Sequence, residues 1–172
     1  MVAVTFSTDT NDSGGGVDGT IHNNAWKQAM ATAINAAFTD WDDYTPTWGN
    51  TGTANTLGNG TLAGRYHTVN KRVFFQIEFV WGTTTASGNA AWTFTLPVTA
   101  VAATNPGQTI GGATITDVSV GNYCGIVQQF TTTTCVVYNT NAITNGVGFS
   151  GSVPMTWVST DKMSICGSYQ IP

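Results

Sequence analysis

The chain has 172 residues, a net charge of −4 and an 8% content of Asp, Glu, Lys and Arg, against roughly a quarter in an average soluble domain. Five basic residues cannot neutralise a run of phosphates, which argues against nucleic acid as a partner. With 41% hydrophobic and 11% aromatic residues, the chain has enough apolar surface to offset the ordering entropy, which excludes intrinsic disorder.

The 31 Thr, 20 Gly, 17 Ala and 14 Asn mean that the polar surface is built from hydroxyls, amides and backbone rather than from ions. The stretch Met1 to Thr8 has no basic segment leading into an apolar one, so no signal peptide is expected. No apolar run approaches the ~20 residues of a membrane span, so no membrane partner is expected. Residues 8–19 are polar and glycine-rich and read as an extended arm. Within them Asp9, Asn11 and Ser13 fall at the first, third and fifth positions of a calcium loop with Gly14 at the sixth. Position twelve is Thr20, however, where a bidentate Glu is required, so a solvated linker is expected and no metal.

One helix follows. Trp26, Ala29, Met30, Ala33, Ile34, Ala37, Phe38 and Trp41 recur at i, i+3 and i+4 and form one stripe. Thr20 or Asn23 can cap its start, and Thr45-Pro46 lies beyond its end. The stripe has no second helix to pack on, so it lies on the following β domain or meets copies of itself. Trp26, Met30, Ile34, Phe38 and Trp41 are therefore the candidate oligomerisation or attachment residues.

From Tyr44 onward the period is two. The longest strand spans 73–81, with Val73, Phe75, Ile77, Phe79 and Trp81 on one face. Others are expected at 61–68, 92–96, 113–120, 123–130, 135–138, 153–158 and 163–171, separated by Gly, Asn and Thr clusters. Eight short strands with turns at this spacing indicate a mainly β protein, an antiparallel sandwich or jelly roll preceded by the arm and helix. The division is residues 1–43 for attachment and 44–172 for the sandwich.

Catalytic signals are sparse. Asp40, Asp42 and Asp43 offer paired carboxylates, the minimum for glycoside hydrolysis, but cluster at a helix end where a solvated role is expected. His22 and His67 are the two histidines, and no Gly-x-Ser-x-Gly elbow accompanies them. No catalytic residue, cofactor or metal is assigned, and the chain is expected not to be an enzyme. Cys124, Cys135 and Cys166 fit no zinc spacing. They are expected to be buried thiols, although Cys124 and Cys135 could face each other across a hairpin. Trp81, Trp92 and Trp157 are in phase with core residues, whereas Tyr123 after Gly121-Asn122 reads as an exposed turn aromatic and the candidate ligand-binding residue for a glycan.

Several stretches together carry a resemblance. The segment Val17 to Ala29 resembles the attachment segment of bacteriophage fibre and minor structural proteins. The block Tyr44-Thr45-Pro46-Thr47-Trp48, the block Thr56 to Tyr66 and the block Ala91 to Pro97 are similar to a module of tailed-phage virion proteins. Val153 to Trp157 and Asp161 to Tyr169 look like that module's last hairpin. The resemblance implies a β-sandwich displayed on a virion, commonly as a homotrimer. The form would be a tail fibre, receptor-binding tip, capsid decoration or head fibre, with other virion proteins and a host-surface glycan as partners. It supplies no catalytic residues. A surface of Thr, Asn and Gly suits that role, because little on it titrates or is screened.

Overall fold

The computed structural model describes residues 24–37, 41–50, 52, 54–88, 90–105, 107–140 and 148–172. They fall into two compact units, Met1–Asp40 and Trp41–Pro172.

The first unit contributes α1, Asn24–Ala37. Met30 and Ile34 are half-buried, whereas Ala29 and Ala33 are exposed. Trp41, the last residue of the expected stripe, belongs to the second unit. Phe38, Asp40, His22 and the 8–19 arm lie outside the described residues, as do the side chain of Trp26 and the expected caps.

The second unit is mainly β, as expected, and is built from one antiparallel sheet. Its strands are β1 (Asp42–Tyr44), β2 (Trp48–Asn50), β3 (Thr61–Val69), β4 (Arg72–Val80), β5 (Trp92–Thr95), β6 (Thr109–Asp117), β7 (Gly121–Gln129), β8 (Thr134–Asn139) and β9 (Lys162–Gln170). They are ordered β1-β3-β4-β9-β6-β7-β8-β5-β2. The sheet curls until its walls face each other across a shared core, Phe79 of β4 meeting Trp48 of β2 at 5.0 Å and Trp92 of β5 at 5.9 Å between ring centroids. Alternation dictates this: Val73, Phe75, Ile77 and Phe79 are at most 1% exposed, and Ile115, Val127, Val137, Met163 and Ile165 point inward from the other strands.

The end strands β1 and β2 are each three residues long, and the connection between them ties the two edges together. The Thr95 amide donates to the Thr47 carbonyl at 3.1 Å and the Thr47 amide to the Thr95 hydroxyl at 2.7 Å. The Tyr44 hydroxyl donates to the Thr95 carbonyl at 3.4 Å. Gly64 lies beneath the Tyr44 ring, where a Cβ would collide with the ring.

The core is rich in tryptophan. Trp81 stacks on Trp92 and Trp157, with centroids 5.9 and 5.7 Å apart, while Trp48 meets Trp92 edge-on at 4.9 Å. Aromatic pairs in such geometries add to the energy of area burial. Trp157 Nε1 donates to the Ser150 carbonyl at 3.1 Å, whereas the buried Nε1 groups of Trp48 and Trp92 have no hydrogen-bond partner among the described residues.

Segment 96–101 closes one end. The Tyr169 hydroxyl donates to the Val98 carbonyl at 2.8 Å and accepts from the Val98 amide at 3.1 Å. Burial pushes this hydroxyl up to about 12 and the Cys135 thiol up to about 12, from ordinary values of 10.0 and 9.0. Both groups are favoured in their protonated forms by folding. Their contribution to stability is therefore complete below about pH 9 and is lost as the pH rises from there towards 12. The melting temperature should hold level to about pH 9 and then decline, and Cys135→Ala should flatten the first part of that decline. A wild-type melting temperature unchanged between pH 8 and 11 would refute this.

Two expectations are corrected here. Residues 153–158 do not form a strand: Val153 makes an isolated bridge to Ser150 and a cis peptide joins it to Pro154, although Met155 and Trp157 still point into the core. Of the cysteines only Cys135 is buried, Cys124 and Cys166 being exposed. Cys135 is paired with Gln129 and Phe94, and Cys124 with Thr114, so Cys124 and Cys135 do not face each other and all three thiols are free.

Candidate functional site

The β unit segregates its charge. From Ala91 to Thr160 the sequence contains a single Asp, Glu, Lys or Arg, Asp117. Because β1, β3, β4 and β9 are neighbours, the remaining ionic side chains of the β unit, apart from Asp161, gather on one wall and its β3–β4 turn.

On that wall Asp43 lies opposite Arg65, whose guanidinium carbon is 5.3 Å from the centroid of the exposed Trp41 ring. Arg65 donates twice to Gln76 Oε1, at 3.0 and 2.7 Å. Gln76 donates to Glu78 Oε1 at 2.6 Å, and the Ser164 hydroxyl donates to the same atom at 2.7 Å. Further along, Arg72 donates to the Ser168 hydroxyl at 3.1 and 2.9 Å. These bonds run rung by rung across β3, β4 and β9, committing each polar head to a neighbour on an open face.

Asp43 and Glu78 both line a hollow within this ladder, of about 130 Å³, below the roughly 300–1,000 Å³ of small-molecule sites, and a second hollow of about 370 Å³ lies by the β3–β4 turn at Lys71, Arg72, Phe74 and Gln170. Asp42 and Asp43 are exposed, as expected, but lie on a strand rather than at a helix end. They stand on edge strand β1, where charge discourages pairing with another chain. His67 is on β3 with its ring centroid 6.4 Å from that of Trp41.

Two more carboxyl groups sit at one end of the sheet. The fully buried Asp161 accepts from the Val118 amide at 3.1 Å and the Val158 amide at 2.7 Å. Asp117 accepts from the Ser119 hydroxyl at 2.7 Å and the Ser119 amide at 2.9 Å, bonds that hold it below the usual carboxylate range. Both are occupied in shaping the β6–β7 turn and residues 158–161. Among the described residues no three His, Cys, Asp or Glu converge, and no described helix is long and apolar enough to cross a membrane.

A cleft of about 680 Å³ opens where segment 102–107 passes the β7–β8 turn. Val136, 3% exposed, is its floor. Phe130, 52% exposed, stands at its side with Gln128, Tyr138, Thr104, Thr131 and Thr132, and no charged residue lines it. The wall is held in shape from behind: Gln129 Nε2 donates to the Val101 carbonyl at 2.8 Å, and the Ala100 amide to the Thr132 carbonyl at 2.7 Å. Gly107 adopts φ 79°, a conformation that favours glycine, and a Cβ there would lie 3.1 Å from Gln128 Oε1.

The residues singled out from sequence are scattered. Met30 and Ile34 are on α1, and Trp41 is on the charged wall rather than on a helical stripe. Tyr123 is not in a turn: it is within β7, opposite Ile115, half-buried against the core. The aromatic that does stand exposed on this side of the sheet is Phe130. The alternation that sends Val127 and Gln129 inward already assigns it the outward phase.

The architecture defines a single curled antiparallel sheet around an aromatic core, with a charged wall and a neutral cleft. No protein-family model, curated protein or solved structure matches the chain.

Proposed function

We propose that this protein is a non-enzymatic structural protein displayed on the surface of a bacteriophage virion, a fibre, spike or decoration protein that assembles as a homotrimer and attaches through its N-terminal segment. The observation that carries this is the seam of the β unit. The three stretches most similar to the virion module, 44–48, 56–66 and 91–97, are far apart in sequence but adjacent in the fold: Tyr44 pairs with Gly64, Trp48 pairs with Phe94, and Tyr44 and Thr47 bond to Thr95. Residues that make one closure together carry more weight than three separate likenesses. The neutral hydroxyl and amide surface suits a protein that must persist outside a cell.

The test is in two parts. Light scattering of the purified protein should give three times the 18.0 kDa chain mass. Met30→Ser with Ile34→Ser should release monomers whose near-ultraviolet circular dichroism is unchanged; a wild-type monomer refutes the assembly. Antibodies to the protein should decorate intact phage particles, and finding it only free in lysates refutes the virion role. Carbohydrate binding for host adsorption is the alternative, favoured by the uncharged, aromatic-sided cleft.

A further inference from the structure

We infer that the cleft between segment 102–107 and the β7–β8 turn binds a neutral oligosaccharide, with a pyranose ring against Phe130 and its hydroxyls facing Gln128 and Tyr138. This rests on the carbohydrate-binding alternative above and gives it a place and a ligand class. It does not depend on whether the protein belongs to a virion.

Three observations converge. The volume, about 680 Å³, lies within the range of small-molecule sites. Phe130 keeps 52% of its surface exposed at the cleft, although burying an aromatic ring of this size is favourable. An exposed ring beside a concavity offers a flat apolar face, and the C–H face of a pyranose is complementary to it. The Gln128 carboxamide and the Tyr138 hydroxyl, both lining the cleft, make no hydrogen bond among the described residues. They present a donor and acceptor set matched to sugar hydroxyls, which both give and take hydrogen bonds.

Charge decides the ligand class. The lining has no ionisable acid or base to neutralise an anionic sugar, a phosphate or a charged peptide. Such a ligand would lose hydration without a compensating ion pair. The wall able to hold charge is elsewhere, on β3, β4 and β9, where Arg65, Gln76, Glu78 and Ser164 already satisfy one another. A neutral glycan loses less on entry and can recover its hydrogen bonds from amide and hydroxyl partners.

Full-length protein should be tested by saturation-transfer NMR and calorimetry against maltoheptaose, cellohexaose and mannohexaose, with oligogalacturonate as the charged comparison. At least one neutral oligomer is expected to bind. Phe130→Ala, a surface change, is expected to weaken that binding by about tenfold or more, and Tyr138→Phe by a few-fold, magnitudes in keeping with the loss of one stacking or polar contact. Phe74→Ala, at an exposed aromatic on the charged wall, should leave binding unchanged. Binding that ignores Phe130→Ala and Tyr138→Phe would overturn the cleft while leaving a carbohydrate-binding role intact. Binding of oligogalacturonate alone would overturn the neutral ligand class. No binding of any probe at millimolar concentration would overturn the inference together with the carbohydrate reading, leaving the virion role untouched.

Discussion

Trp92→Ala is expected to destabilise the β unit by about 3–5 kcal/mol, the usual cost of emptying a large aromatic site in a core. Trp92 is fully buried and touches Trp48, Phe79, Trp81 and Trp157, with centroids between 4.9 and 5.9 Å. These rings come from both walls, so the cavity would lie where the walls are held together and could not collapse without the sheet uncurling. For a domain of this size such a loss lowers the melting temperature by more than about 10 °C. Near-ultraviolet circular dichroism should weaken as well, since the cluster loses a ring that touches Trp48, Trp81 and Trp157. Trp92→Phe should cost less than half as much. It keeps most of the apolar volume, and the buried indole N–H it removes has no hydrogen bond among the described residues to lose. A Trp92→Ala protein that melts within about 3 °C of the parent would show that the walls are held together elsewhere.

Asp161→Ala should be nearly as damaging for a different reason. The Asp161 side chain is fully buried and accepts two backbone amides, from Val118 and Val158, that belong to turns distant in sequence. Alanine leaves both N–H groups without an acceptor. At about 1–3 kcal/mol for each orphaned group, the expected loss is on the order of 2–6 kcal/mol. The backbone on either side of Asp161 is also engaged, the Trp81 amide donating to the Asp161 carbonyl at 2.9 Å and the Thr160 amide to the Trp81 carbonyl at 2.9 Å. Loosening residues 158–161 therefore reaches the aromatic core. Hydrogen exchange should show the Val118 and Val158 amides losing protection together, ahead of the sheet. Unchanged protection of both, with unchanged stability in urea, would mean that other groups hold these turns.

The long strands were readable because alternation over nine residues has a single interpretation. Val73, Phe75, Ile77 and Phe79 could not share a face on any helix. β1 and β2 were not readable, since three residues cannot display a period; only their pairing, Asp43 with Arg65 and Trp48 with Phe94, makes them strands. Residues 153–158 misled for the converse reason. Val153, Met155 and Trp157 alternate because they face the core, but alternation records which side chains turn inward and not whether the backbone finds a partner strand.

At the candidate site the gap was larger. Gly121-Asn122 resembles a turn, yet the turn lies just before it, fixed by the Asp117 side chain bonding to Ser119. The shift puts Tyr123 inside β7. The cleft itself is made by segment 102–107 meeting a turn some twenty-five residues later, and the charged wall by β9 inserting between β4 and β6. Strand order of this kind depends on long-range pairing, which composition and periodicity do not encode.

The two three-residue end strands have a consequence for crowded settings. A sheet grows from chain to chain through its margins, and here each end strand is only three residues long, one of them bearing Asp42 and Asp43. Copies held side by side at high local density therefore have little means of zipping into fibrils. Contacts made by side chains instead are reversible and tunable by single substitutions.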